Sequence, residues 1–157
     1  MDPLVYVLTV AARGDNNWRL ISVPYYVKDA QEGESTQFHH LDLNMKNYIE
    51  HGWGLNAIQG SLSLDDENDN GCTVIVKGFH KYISQWWENV KECIGEEKLP
   101  SGENTNFTSL LYNHADKQQY GNFEPVPCTR GALRLTRADI PHGSTGIAKQ
   151  QRRCIFP

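Results

Sequence analysis

Apolar positions along this chain mostly alternate with polar ones or run in short β-branched stretches, the signature of strands rather than helices. Val5 to Ala11 and Trp18 to Val27 are two such runs, and Gly14-Asp15-Asn16-Asn17 between them is a turn signal, so a hairpin is expected. A polar loop is expected over Lys28 to Thr36. Leu55 to Leu64 alternates again and ends in the acidic turn Asp65 to Gly71; Cys72 to Val76 beyond it favours extended backbone. Then the period changes. Tyr82, Ile83, Trp86, Trp87, Val90 and Ile94 recur at spacings of three and four, which predicts an amphipathic helix over 81–94. Pro100 to Asn106 reads as a breaker-rich loop and 107–122 as irregular or weakly helical, before strands resume at Val126 to Cys128, Ala132 to Thr136 and Arg153 to Phe156. Many short strands with one helical interruption predict an all-β sandwich or barrel, carried by a single domain over 1–157 with an insert at about 81–122.

Composition narrows the function classes. A chain of 157 residues, 39% hydrophobic and 22% charged, has the profile of an ordinary globular domain with its own core. Its formal net charge of −4 disfavours nucleic acid as a partner without ruling out a local basic patch. No apolar run approaches the roughly 20 residues that span a bilayer. The start Met1-Asp2-Pro3 lacks the basic segment of a secretory signal, so a cytoplasmic location is expected. Cys72, Cys93, Cys128 and Cys154 contain no C-x-x-C pair and read as buried or free thiols. Without a secretory signal, the sequon at Asn106-Phe107-Thr108 carries no weight.

The sharpest chemical feature is Phe38-His39-His40-Leu41-Asp42. On extended backbone, His40 and Asp42 share a face, so an imidazole and a carboxylate project together. Pro141-His142-Gly143-Ser144 offers a further imidazole. Two histidines and one carboxylate on one side of a metal form the facial triad of non-haem Fe(II) oxygenases, which leaves positions open for co-substrate and dioxygen. His114-Ala115-Asp116 matches H-x-D equally well, but it lies too close to His142 for several strands to intervene and reads as solvated loop. Arg152-Arg153 follows His142 at the head of the last strand-like run; one of the two can point inward and clamp a carboxylate, such as the distal one of 2-oxoglutarate.

Three blocks together resemble the phytanoyl-CoA dioxygenase-like family of Fe(II)/2-oxoglutarate oxygenases. They are His40-Leu41-Asp42, the stretch Asn70-Gly71-Cys72 through Gly78-Phe79-His80-Lys81, and Pro141-His142-Gly143-Ser144 leading to Arg152-Arg153. The resemblance implies a cupin-like double-stranded β-helix, or jelly roll, with iron on His40, Asp42 and His142 and 2-oxoglutarate as co-substrate. It favours Arg152 as the clamp, with Arg153 as the alternative. Halogenating relatives replace the carboxylate ligand with a small residue, so Asp42 points to hydroxylation of a small organic substrate by dioxygen. Asn56 and Gln59, on a strand expected to line the barrel, are candidate 2-oxoglutarate contacts, whereas His80 is expected to be structural. Trp53, Trp86 and Trp87 fit core packing better than a substrate wall. Two other readings remain open: a catalytically silent jelly-roll scaffold, and a metal-dependent cupin enzyme that does not use 2-oxoglutarate.

Overall fold

The computed structural model describes residues 14, 26–33, 39–43, 45, 48, 51, 58–91, 108–109, 114–145 and 152–156; for 26–30, 108–109, 114 and 152–156 it describes the backbone alone. Nine strands lie in this region: β1 Tyr26–Ala30, β2 His40–Leu41, β3 Ile58–Ser63, β4 Thr73–Ile75, β5 Thr108–Ser109, β6 Glu124–Pro125, β7 Leu133–Arg137, β8 His142–Ser144 and β9 Arg152–Phe156. They build two antiparallel sheets, ordered β1-β9-β3-β7 and β5-β2-β8-β4-β6. From β1 to β4, and again from β6 to β9, each successive strand crosses to the other sheet. That alternation is the winding of a jelly roll, and the chain is a cupin-like double-stranded β-helix.

The two faces of the five-stranded sheet divide the labour. Leu41 is fully buried on one face, while His40 is turned to the other, as the strand period requires. Helix α1, Ile83–Val90, follows a 3-10 turn at Phe79–Lys81; the helical period places Ile83, Trp86, Trp87 and Val90 on its buried side. These residues join Leu41, Leu43, Met45, Val76 and Phe79 in one apolar cluster. Phe79 meets both Trp86 and Tyr120 edge-on, at centroid separations of 5.7 and 5.8 Å. Trp86 and Trp87 are therefore core; Trp53, Asn56, Cys93 and the Val5–Ala11 run lie outside the described residues. Among the described cysteine side chains, Cys72 is buried and Cys128 half-buried.

Several local expectations shift. The polar stretch after Val27 continues as β1 to Ala30 because β9 supplies the ladder partners, down to Ala30 opposite Arg152. The strand expected at Val126 to Cys128 sits instead at Glu124–Pro125, where β4 is the neighbour. Residues 107–122 contain more order than their composition signals: β5 adds a strand beside β2, and His114–Tyr120 is a helix, α2. Within α2, Asp116 and Tyr120 are one turn apart and both buried, and the Tyr120 hydroxyl accepts from Asn89 Nδ2 at 3.0 Å. His114-Ala115-Asp116 is thus the start of a helix in which Asp116 is buried, not solvated loop.

Gly60 on β3 has no room for a side chain, since a Cβ there would sit 2.6 Å from the Arg134 carbonyl oxygen on the neighbouring strand. Gly60→Ala is expected to destabilise the fold by about 1–3 kcal/mol through overpacking, measured by urea denaturation. No described helix is long and apolar enough to cross a membrane.

Candidate metal centre

The ladder itself brings the two histidines together. His40 on β2 is the register partner of His142, the first residue of β8, and His142 is in turn the partner of Ile75 on β4. Directly opposed residues of antiparallel strands hold their Cβ atoms roughly 5 Å apart, so the imidazoles meet, with ring centroids 4.4 Å from one another. Asp42 occupies the bend immediately after β2. Its Oδ1 lies 3.2 Å from His40 Nε2 and its Oδ2 2.8 Å from His142 Nε2. One donor atom from each of the three residues falls within 4.8 Å of the others, and all three side chains are half-buried.

His142 is oriented from behind. Its Nδ1 lies 3.0 Å from the Ile140 carbonyl oxygen, an acceptor, so Nδ1 carries the proton in that bond. In the neutral ring Nε2 is then a bare lone pair, and it faces Asp42 Oδ2, a buried oxygen left without a hydrogen bond in that tautomer. Two acceptors 2.8 Å apart repel unless a positive charge bridges them. A proton on Nε2 can do so, forming the Asp42–His142 ion pair; a divalent cation held by His40, Asp42 and His142 would do so as well. The residues present therefore fit a metal, and nitrogen-plus-carboxylate donors suit a first-row transition ion.

The titration behaviour follows from the same contacts. Burial opposes the charge on Asp42, but hydrogen bonding and the fields of His142 and His40 outweigh it and hold the carboxyl well below the usual carboxylate range. Burial likewise disfavours a charged His142, yet the Asp42 hydrogen bond and charge, with the Ile140 carbonyl, carry its pKa above the ordinary histidine value. A raised pKa contributes stability that is complete below about 6.5 and is lost as pH climbs through the folded value. Metal-free protein is therefore expected to lose stability as pH rises above about 6.5, and Mn(II) affinity is expected to rise over the same span as it displaces the His142 proton. Denaturant melts and Mn(II) titrations across this range check both slopes.

Other sequence candidates fall in different places. His39 points away from the triad and stacks on Phe123, with centroids 3.9 Å apart and planes 12° from parallel; burial lowers its pKa despite a bond to Ser144. Gln59 is exposed on β3 opposite Thr136. Arg152 and Arg153 open β9 opposite Ala30 and Asp29. Arg152 is in phase with Cys154, which pairs with the buried Ser63, whereas Arg153 is in phase with Ile155, the partner of Leu62.

Sequence reasoning missed one polar cluster. Glu67, from the acidic turn, pairs with Arg134 of β7; its side chain is 0% exposed and that of Arg134 9%. Glu67 also accepts the Cys128 amide at 3.0 Å, and Arg134 reaches Ser61 Oγ at 3.1 Å and the Val126 carbonyl at 2.9 Å. In the sequence, Glu67 is one acid among several in a turn and Arg134 one polar position of a strand, so nothing there singles out the pair.

The family model of phytanoyl-CoA dioxygenase (PhyH) matches residues 8–154. No curated protein matches the chain significantly. Among solved structures, AviO1 from Streptomyces viridochromogenes Tue57 is similar at a TM-score of 0.60 and 19% identity, over 98% of this chain and 55% of AviO1. EctD from S. alaskensis, crystallised with 2-oxoglutarate and 5-hydroxyectoine, is similar at a TM-score of 0.51 and 16% identity, over 84% of this chain and 43% of EctD. Its structure with bound Fe gives 0.50 and 16% over the same shares. At these identities the likeness is one of fold. The chain spans about half the length of these solved proteins.

Proposed function

The chain belongs to the phytanoyl-CoA dioxygenase (PhyH) family, and on that footing we propose that it is an Fe(II)- and 2-oxoglutarate-dependent oxygenase that hydroxylates a small organic molecule. The observation that carries the proposal is the convergence of His40 Nε2, Asp42 and His142 Nε2, with an unsatisfied carboxylate oxygen where a cation would sit. Iron held there would supply oxidation of a substrate C–H bond by dioxygen, coupled to decarboxylation of 2-oxoglutarate to succinate. The protein's own part is geometry. Ile140 fixes the His142 tautomer, and the β2–β8 register fixes the distance between the two rings. EctD, which shares the fold, was crystallised with Fe and with 2-oxoglutarate, and this supports the same pair of cofactors here.

For the distal carboxylate of 2-oxoglutarate we assign Arg152. It shares its strand phase with Cys154 and hence with the buried Ser63 and Ser61, the second of which accepts from Arg134. Asn56 and Gln59 remain secondary candidates for the co-substrate. The test is succinate release from 2-oxoglutarate with Fe(II) in air, beside anaerobic Mn(II) binding. Arg152→Ala is expected to raise the 2-oxoglutarate concentration needed for half-maximal turnover about tenfold or more, and Arg153→Ala to leave it nearly unchanged. Dioxygen uptake that needs no 2-oxoglutarate and survives loss of both arginines would favour a cupin enzyme independent of 2-oxoglutarate. Neither metal binding nor succinate would favour a silent scaffold.

A further inference from the structure

Beside the triad, a cavity of about 440 Å³ opens between the end of β4 and strand β7, within the size range of small-molecule sites. None of the three donor residues lines it, but two lining residues adjoin them: Ile75 is the strand partner of His142, and Ile140 carries the carbonyl that orients His142. Ile75, Val126, Leu135 and Ile140 make much of the lining aliphatic.

Its charged lining has one sign. Lys77, Arg134 and Arg137 border the cavity, and no Asp or Glu does so among the described residues. Arg134 is committed to Glu67, Ser61 and the Val126 carbonyl. Lys77 and Arg137 are not exhausted by their partners. The Lys77 ammonium has three donors and meets Glu124 at 2.7 Å; the Arg137 guanidinium has five and gives Nε and Nη2 to Asp139. His80 also lines the cavity, and its Nδ1 is buried without a hydrogen-bond partner, so no bond through that nitrogen explains the ring's position. An aliphatic space bordered by spare donors, with no carboxylate of its own, is complementary to a molecule that brings a carboxylate and a hydrocarbon body.

We propose that this cavity is the substrate subsite and that it takes a small aliphatic carboxylate, received by Lys77, Arg137 and His80. That the occupant is the molecule oxidised rests on the oxygenase reading above; its binding does not. The test titrates hexanoate, hexan-1-ol and hexylamine into the full chain by calorimetry, with Mn(II) and saturating 2-oxoglutarate and again without either. Hexanoate is expected to bind about tenfold or more tightly than hexan-1-ol, and hexylamine more weakly than both. Lys77→Met and His80→Phe, each checked for an unchanged melting profile, are expected to bring hexanoate down to the alcohol's affinity. Equal affinity for the three probes, or hexanoate binding indifferent to both substitutions, overturns the proposal. Competitive displacement of hexanoate by 2-oxoglutarate also overturns it, because the cavity would then hold the co-substrate. Selective hexanoate binding in a protein that forms no succinate would uphold the subsite and sink the oxygenase reading instead.

Discussion

Asp42→Ala is expected to abolish metal binding at the triad, and with it all succinate formation. Asp42 is the one carboxylate of the cluster and stands between the two imidazoles, 3.2 Å from His40 Nε2 and 2.8 Å from His142 Nε2. Without it, two neutral nitrogens remain, and no anion offsets the dehydration of a divalent ion. Loss of an outer-shell partner typically costs 10–100-fold in metal affinity, so loss of this ligand is expected to cost more than about 100-fold. The fold should survive, because Asp42 lies in a bend beyond β2 and contributes nothing to a ladder. Mn(II) binding followed by electron paramagnetic resonance, beside far-UV circular dichroism, separates the two effects. A folded Asp42→Ala protein that binds Mn(II) as tightly as the parent would place the metal elsewhere.

Breaking the Glu67–Arg134 pair is expected to give the largest loss of stability. Replacing Glu67 by alanine strands a nearly buried guanidinium and removes the acceptor of the Cys128 amide; replacing Arg134 leaves a carboxylate with no exposure at all. Removing one partner of a buried pair costs about 3–5 kcal/mol, and for a chain of this size that lowers the melting temperature by roughly 10 °C. The pair ties the acidic turn to β7 and to the 126–128 crossing, so its loss should also loosen the cavity wall. Differential scanning calorimetry of Glu67→Ala, Arg134→Met and the double variant checks this. The double variant is expected to recover part of the loss, since it leaves no charge stranded. Single variants that melt with the parent would show the pair to be energetically idle.

What was legible in the chain was whatever depends on near neighbours. Alternation located β3 and β7 to within a few residues, and the three-four spacing of Ile83, Trp86, Trp87 and Val90 located α1. H-x-D on extended backbone put His40 and Asp42 together because strand side chains repeat every two residues. Where a two-residue element owes its existence to a partner, the signal was missing. Thr108–Ser109 has no strand pattern of its own and is extended because β2 runs beside it; Glu124–Pro125 is extended because β4 does. The decoy at His114 and Asp116 shows the converse: the same letters fall on a helix, with Asp116 turned into packing.

By itself, then, the sequence determined the strand-rich class, the amphipathic helix, the local pairing of His40 with Asp42 and the choice of His142 as the distant partner. Tertiary structure alone decided that His142 lies opposite His40 in register, that the Ile140 carbonyl turns its Nε2 toward Asp42, and that Glu67 and Arg134 meet across sixty-odd residues of chain. It alone decided which donors border the cavity beside them. The reason is range. Backbone periodicity acts over two to four residues and is written in the order of side chains. Register between distant strands is set by which pairing buries the most apolar surface while satisfying every buried polar group, and that sum exists only once the sheets have closed.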